Sequence, residues 1–392
     1  MVILRQFIHC AGIRNPGQSV SLTLTTVITE NEKIQAIIPG HVQPDENSSL
    51  ISWDNRVVIP GLFSCHEHIT LDSVAEHVPD AEVGVVFALR AVRVCGRFLQ
   101  NGVTTVRDAG ARGAVNIQIK KALQEGLFSG PDLIVPGHRI SRTGFTKWRV
   151  CLEADGPEDL RKAVRQERKR GAEYIKLMVS DVLSGQGTPY DPQYSFDEIR
   201  AAVEEAHELG LKVAVHAYGG VGAARAIRAG VDSIEHGASL SDEDIEMMAE
   251  NGTFYVMTYK AVYDALADPK TPPRLRKTAE SMIERYHETL CKVRKAGVRV
   301  AAGGDSHGFD PSMEASAMLK SGFTHAEALA ALTVNGAALC GMPDKGVVRE
   351  GFIADLVALD GDPLEDIHAL GKVRGVAKKG QIIRPYEGSQ EC

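Results

Sequence analysis

From about residue 57 to residue 305, short apolar or β-branched runs alternate with longer stretches of helical spacing, the pattern of repeated βα units around a parallel sheet. Eight runs predict strands: Val57–Phe63, Thr104–Arg107, Asp132–Pro136, Tyr174–Val179, Lys212–His216, Ser233–Glu235, Phe254–Thr258 and Val298–Ala302. The intervening helices are clearest over 195–210, where Ser195 caps, Glu198 completes a capping box and Gly210 terminates. A glycine recurs where helix gives way to strand, in Asn101-Gly-Val, Arg170-Gly-Ala, Leu209-Gly-Leu, Ala229-Gly-Val, Asn251-Gly-Thr and Ala296-Gly-Val. Such glycines suit the loops on the bottom face of a barrel, so the spacing predicts an α/β fold of the (β/α)8 TIM-barrel kind.

The two ends read differently. Residues 1–56 contain the alternating stretch Ser19–Thr29 and turns at Asn15-Pro-Gly and Pro39-Gly, and the tail repeats that character in 351–361 and 373–383. Strands at both ends of a barrel pair most simply with each other. The expected organisation is a small β-sandwich domain from residues 1–56 and 345–392, with the barrel over 57–344.

Composition narrows the class without naming a function. Hydrophobic residues make up 44% and charged residues 24% of 392, an ordinary globular balance that excludes a largely disordered or fibrous chain. The net charge of −7 and the lack of basic clusters leave no electrostatic footprint for nucleic acid. Glu167 interrupts the basic run 165–170, which reads as a solvated helix face. Seven scattered cysteines without a CxxC pair argue against a disulfide framework and for a reducing compartment. The N-terminus lacks the order of a signal peptide, and the most apolar segment, Val83–Leu89, is far shorter than the roughly 20 residues that span a bilayer. The expectation is a cytoplasmic protein without a membrane partner.

Thirteen histidines are the notable count, and their positions carry the argument. His66 and His68, two apart at the end of the first barrel strand, point to the same side and can share one metal ion. The HxH pattern is weak alone, but its place in the fold is repeated elsewhere. Lys176 lies in the fourth strand, His216 ends the fifth, His236 ends the sixth and Asp305 ends the eighth. In a barrel the carboxyl ends of the strands surround one site, so these residues converge. Singly, each has a bland alternative: a hydrogen-bonded structural histidine, a capping aspartate, an edge-strand lysine. Together, four histidines, an aspartate and a lysine form an inventory for two metal ions.

The segments Pro60-Gly-Leu through His66-x-His68, Tyr174-Ile-Lys176-Leu-Met, His216-Ala-Tyr-Gly, Ser233-Ile-Glu-His236-Gly and Gly304-Asp305-Ser resemble the amidohydrolase superfamily. The wording is most similar to the imidazolonepropionase-related branch, which holds metal-dependent Xaa-Pro dipeptidases and carboxypeptidase-like enzymes acting on N-acylated amino acids. The segment 346–364 resembles that family's return into its small β domain, so the likeness covers nearly the whole chain. It implies that His66, His68 and Asp305 hold one divalent ion and that His216 and His236 hold the other. It implies further that Lys176, N-carboxylated by carbon dioxide, bridges the two, with zinc the expected metal. Desolvation in an apolar strand explains such a lysine, because burial disfavours the ammonium and leaves an amine able to take up carbon dioxide. The implied reaction is hydrolysis of an amide (C–N) bond in a dipeptide or N-acyl amino acid. Water bridging the ions would be acidified from a pKa near 15.7 toward roughly 7, with Asp305 as the catalytic acid and base.

Substrate contacts are less determined by sequence. Tyr218, two beyond His216, faces the same way if the strand persists and resembles a family tyrosine that holds substrate; packing under a loop is the alternative. His138 follows the third strand and can donate to a carbonyl oxygen or sit in a loop. Arg139 and Arg142 can hold a carboxylate or be solvated, and His307 can line the mouth. One departure stands out: relatives carry Thr-Gly-Gly-His after the third strand, whereas this chain reads Thr143-Gly-Phe-Thr146, which lacks that donor. The alternative functions are a deaminase or a hydrolase of a cyclic amide, lactone or xenobiotic on the same barrel, and a barrel that binds without catalysis. The fourth-strand lysine favours hydrolysis at a two-metal site, and the intact ligand set opposes a mere scaffold. A small molecule is the expected partner, and a homo-oligomer is compatible with the resemblance.

Overall fold

The computed structural model describes residues 5–17, 22–70, 78–79, 82–182, 188–305 and 308–383. The chain opens with β1 (Gln6–Ile13), β2 (Thr25–Glu30), β3 (Lys33–Pro39) and β4 (Ser49–Pro60). The middle follows with β5 (Leu62–Glu67), β6 (Val103–Asp108), β7 (Asp132–Ile134), β8 (Arg139–Ser141), β9 (Cys151–Glu153) and β10 (Tyr174–Met178). Next come β11 (Lys212–Gly219), β12 (Ser233–Ser239), β13 (Phe254–Met257) and β14 (Val300–Ala302). The tail adds β15 (Leu356–Leu359), β16 (Val373–Lys378) and β17 (Gln381–Ile383).

Among the described residues the result is a mixed α/β fold with three sheets. Strands from both termini form one seven-stranded sheet in the order β17-β16-β15-β4-β1-β2-β3. The middle forms a parallel sheet, β14-β13-β12-β11-β10-β8-β9, and a shorter parallel one, β5-β6-β7. Backbone hydrogen bonds join these two sheets at both margins. Asp305 N–H donates to His66 O at 3.0 Å, and Glu173 N–H donates to Val135 O at 2.9 Å.

Two of the expected strands are interrupted, each for a local steric reason. The run Val57–Phe63 is divided at Gly61: β4 ends at Pro60 in the terminal sheet, and β5 starts at Leu62 in the parallel one. A Cβ on Gly61 would lie 2.2 Å from Thr104 Oγ1, so the chain crosses between sheets where only glycine fits. The third strand breaks at Pro136-Gly137, where Gly137 has φ +77° and packs on Glu167, and extended structure resumes as β8 and β9.

Amphipathic helices pack on the parallel strands. The helix Phe196–Glu208 starts from the expected capping box, Ser195 with Glu198, and buries Ile199, Ala202, Val203 and Ala206. One large core runs through the parallel strands and these helices, while Ile8, Cys10, Val27, Trp53, Val58 and Leu356 make a separate core under the terminal sheet. Lys345 ties the parts together: its buried ammonium donates to Asp132 at 2.6 Å and Asp355 at 2.7 Å. Among the described residues, no helix is long and apolar enough to cross a membrane.

Candidate metal centre

The cluster assembles at the carboxyl ends of β5, β10, β11, β12 and β14. His66 is buried near the end of β5, and its Nδ1 donates to Glu235 Oε2 at 2.6 Å. Its Nε2 then presents a lone pair toward Asp305 Oδ1, 3.4 Å away. His68 has the same polarity, with Nδ1 donating to Gly110 O at 3.3 Å and Nε2 lying 3.3 Å from Asp305 Oδ1. A ring nitrogen opposite a carbonyl can only be a donor, so these partners fix the tautomer that turns the other nitrogen inward.

His216, inside β11, donates from Nε2 to Asp181 O at 3.1 Å. The His236 ring lies 4.5 Å from that of His216 and 4.8 Å from that of His66, and its Nδ1 shares a 2.7 Å hydrogen bond with Thr258 Oγ1. Burial, with the charge of Lys176, drives His216 down to about 3, and burial likewise holds His236 well below the usual imidazole range. Both rings are therefore neutral at pH 7, the form that ligates a metal. On Asp305, burial works to raise the carboxyl, but His66, His68 and His236 outweigh it and keep the group ionised.

Strand alternation does not explain every direction. In the parallel register His216 lies opposite Glu235 and Ala217 opposite His236, so Glu235 and His236 should face opposite sides. Both nevertheless meet His66. The alternation breaks at His236, whose φ of +74° is left-handed, and Asp305 is also left-handed at +46°. Such backbone costs on the order of 1–3 kcal/mol per residue, and here it falls on two side chains of the cluster. Gly303 allows the close approach of β14 to β5, since a Cβ there would lie 2.4 Å from His66 N.

Lys176 is buried in β10, beside Arg139 of β8 and Ala214 of β11 in register. Its Nζ makes no hydrogen bond among the described residues, and burial lowers its pKa from 10.5 to about 8. A buried amine without a partner is a costly arrangement for a structural lysine. It fits a group that acquires its partners only after carboxylation and metal binding. The inward nitrogens of His66 and His68, the ionised Asp305 and the neutral rings of His216 and His236 complete a donor set that fits divalent ions.

The remaining candidates divide. Tyr218 is at the cluster, stacked 5.0 Å from His236 and edge-on to His216 at 5.0 Å. His138 is tied back to Glu167, which receives its ring Nδ1 at 3.0 Å and its backbone N–H at 3.1 Å. Arg142 donates to Gln193 at 2.7 Å, and Thr146 donates to Asp181 at 3.2 Å. His307 lies outside the described residues. A cavity of about 670 Å³ opens beside Asp305, lined also by Lys260, Asp264 and Asp310.

Sequence reasoning missed the groups that hold the cluster in place. Glu235 accepts from His66, from Arg107 at 2.7 Å and from Ser233 Oγ at 2.6 Å. Glu67 accepts from Ser64 Oγ and Gly304 N–H, and Asp108 from Ile69 N–H, Gly110 N–H and Asn116. Two opposite charges inside strands expected to be buried, Arg107 and Glu235, were the available signal.

Neutral imidazoles, an ionised aspartate and an unpartnered lysine at the carboxyl ends of parallel strands define the class: an α/β protein with a site suited to divalent ions. The chain matches the amidohydrolase family over residues 57–384 and belongs to it. It is thus a member of a family of hydrolases. It is 32% identical to an ochratoxinase of Aspergillus niger, with 95% of this chain and 86% of the relative aligned. Among solved structures, an Xaa-Pro dipeptidase with bound methionine superposes with a TM-score of 0.88 at 29% identity, covering 97% of this chain and 99% of that one. A prolidase complexed with N-methylphosphonate-L-proline gives 0.87 at 30% identity over the same shares.

Proposed function

We propose that this chain is a two-metal, zinc-dependent hydrolase that cleaves the amide bond of a dipeptide or N-acyl amino acid. The carrying observation is the convergence of four imidazoles and Asp305 with a buried Lys176 amine that makes no hydrogen bond among the described residues. The reading takes the two parallel sheets as one closed (β/α)8 barrel that begins at Leu62, after the crossing at Gly61, with the terminal segments and β4 as a separate small β domain.

His66, His68 and Asp305 would hold one ion, His216 and His236 the other, and Lys176 as its carbamate would link them. In forming that carbamate, the neutral amine adds to carbon dioxide and loses a proton. When bound, such ions acidify water and polarise a carbonyl oxygen. Asp305 accepts the proton of the attacking water and returns it to the leaving nitrogen. Glu235 and Gly110 O keep His66 and His68 in the required tautomer. Tyr218, stacked on His236, is placed to hold substrate, and Arg139, beside Lys176, is the candidate for a substrate carboxylate.

The dipeptidase and prolidase likenesses support a peptide-like substrate. Thr146 in place of a histidine supports a substrate outside the Xaa-Pro set, and the ochratoxinase likeness adds ochratoxin to the candidates. The test is a panel of dipeptides, N-acyl amino acids, ochratoxin, lactones and cyclic amides on zinc-loaded protein, with the metal counted. About two zinc per chain with turnover of an acyclic amide supports the proposal. One ion with deamination or lactone turnover only would replace it by the alternative reading.

A further inference from the structure

His236 is held at two of its atoms by one group of buried hydroxyls. Its carbonyl accepts from Tyr255 of β13 at 2.7 Å, and its ring Nδ1 meets Thr258 Oγ1, just beyond β13, at 2.7 Å. Asp305 Oδ2 is farther from Nδ1, at 3.6 Å, so Thr258 is the hydrogen-bond partner of Nδ1 and Nε2 is the nitrogen left for an ion. Behind Thr258 stands Tyr286, from the helix Pro273–Lys295. Its phenol oxygen accepts the Thr258 backbone N–H at 2.8 Å and lies 3.3 Å from Thr258 Oγ1. Tyr286 and Tyr255 are hydrogen-bonding neighbours in turn. All three residues are buried, so their hydroxyls draw partners from within the group.

A hydroxyl has one proton, so these contacts set one another's direction. The His236 carbonyl accepts only, which commits the Tyr255 proton to it. The contact between the two phenols then takes the Tyr286 proton. With that proton spent, Tyr286 can only accept from Thr258, and it receives both the backbone N–H and the hydroxyl. Thr258 Oγ1, its own proton given away, is left to accept from His236 Nδ1–H. The opposite course, from Tyr286 through Thr258 to a bare Nδ1, leaves the two phenol oxygens facing each other with no proton between them. The favoured chain leaves the ring of His236 and returns to its own carbonyl, and hydrogen bonds that run in one sense strengthen one another.

We propose that Tyr255, Tyr286 and Thr258 are positioning residues that keep the ring proton of His236 on Nδ1 and leave Nε2 bare for a divalent ion. The proposal rests on the two-metal reading of the cluster. It gives His236 what Glu235 gives His66 and the Gly110 carbonyl gives His68, but by a longer route. A hydroxyl can point either way, and here the carbonyl at the far end of the chain decides. That carbonyl belongs to the residue at φ +74°, so the Tyr255 bond also anchors the left-handed backbone that brings the ring to the cluster. A Thr258 hydroxyl turned the other way would place the ring proton on Nε2 and block ligation.

Histidine-selective ¹⁵N spectra of the metal-free protein at neutral pH read the ring proton directly, with His236 assigned by the loss of its signals in His236→Gln. Wild type and Thr258→Ser, which keeps the hydroxyl, should carry the proton on Nδ1. Tyr286→Phe and Tyr255→Phe remove hydroxyls that do not bond to the ring, yet each turns the Thr258 proton toward Nδ1 and should move the ring proton to Nε2. In both, and in Thr258→Val, competition with a chromophoric chelator should show affinity for one zinc ion falling roughly 10–100-fold, the usual loss when the group behind a metal-bound histidine is removed. If the tyrosines served structure alone, stability would fall and the ring proton would stay on Nδ1. That result, a wild-type proton on Nε2, or wild-type zinc affinity in all three variants would overturn the proposal. A wild type that binds only one zinc would remove the two-metal reading instead, and the metal-free spectra would still decide where the ring proton is held.

Discussion

Glu235→Gln separates the two duties of the buried carboxylate beneath the cluster. Glu235 accepts from Arg107 Nη2 at 2.7 Å and Ser233 Oγ at 2.6 Å through Oε1, and from His66 Nδ1 at 2.6 Å through Oε2. Burial would raise this carboxyl, but Arg107, Lys176 and His66 hold it well below the usual carboxylate range, so the native group is an anion. Glutamine keeps the volume but must turn an NH₂ toward one of two donors. Turned toward Arg107, it leaves a guanidinium of 5% exposure without its counter-charge. Turned toward His66, it forces the ring proton onto Nε2, the nitrogen that faces Asp305. Breaking a buried ion pair costs about 3–5 kcal/mol, and losing the carboxylate behind a metal-ligating histidine costs roughly 10–100-fold in metal affinity. Urea denaturation of chelator-treated protein measures the first quantity, and competition with a chromophoric chelator measures the second. Adding Arg107→Met should recover part of the stability, because the orphaned cation is gone, but none of the affinity, because His66 still lacks its acceptor. A stability loss below about 1 kcal/mol together with wild-type affinity would refute the reasoning.

Three further outcomes are expected. Lys176→Ala should lose most bound metal and activity, with partial rescue by short carboxylic acids; wild-type metal content would refute the bridging role. Asp305→Asn should fold normally and turn over about 10²–10⁴-fold more slowly, and a near-normal rate would remove Asp305 as the proton carrier. Lys345→Met should destabilise the fold by about 3–5 kcal/mol, measured by urea denaturation, because Asp132 and Asp355 lose a shared buried cation. Lys345 and Lys378 overcome the burial of Asp132 and depress its carboxyl below the ordinary 3.8, so its stabilising contribution is present above that pH and lost as the pH falls through the depressed value. The acid limb of the wild-type stability curve should therefore flatten in the variant, and identical limbs would show that Asp132 draws nothing from Lys345.

The meeting of His66, His68, Lys176, His216, His236 and Asp305 in one cluster was legible because each stands at a recurring place, inside or at the end of a predicted strand, and a parallel α/β fold gathers those places. The substrate side was less legible. Tyr218 reaches the cluster because β11 continues to Gly219, three residues beyond the expected end at His216. His138 belongs to a loop whose course depends on the break at Pro136-Gly137, and its ring is held by Glu167 from a helix nearly thirty residues further on. Local periodicity contains no term for such a contact.

By itself, the sequence determined the order of strands and helices, their caps and the set of side chains able to meet. Those properties follow from backbone sterics and apolar spacing within a few residues. Tertiary structure decided the division of the first strand at Gly61 and the nitrogen that each histidine turns inward. It also decided that Glu235 and His236, neighbours on one strand, both reach His66, through a left-handed backbone that alternation forbids. The physical reason is that hydrogen bonds across 22 to 169 residues orient the rings, and only the packed sheets bring those partners within reach.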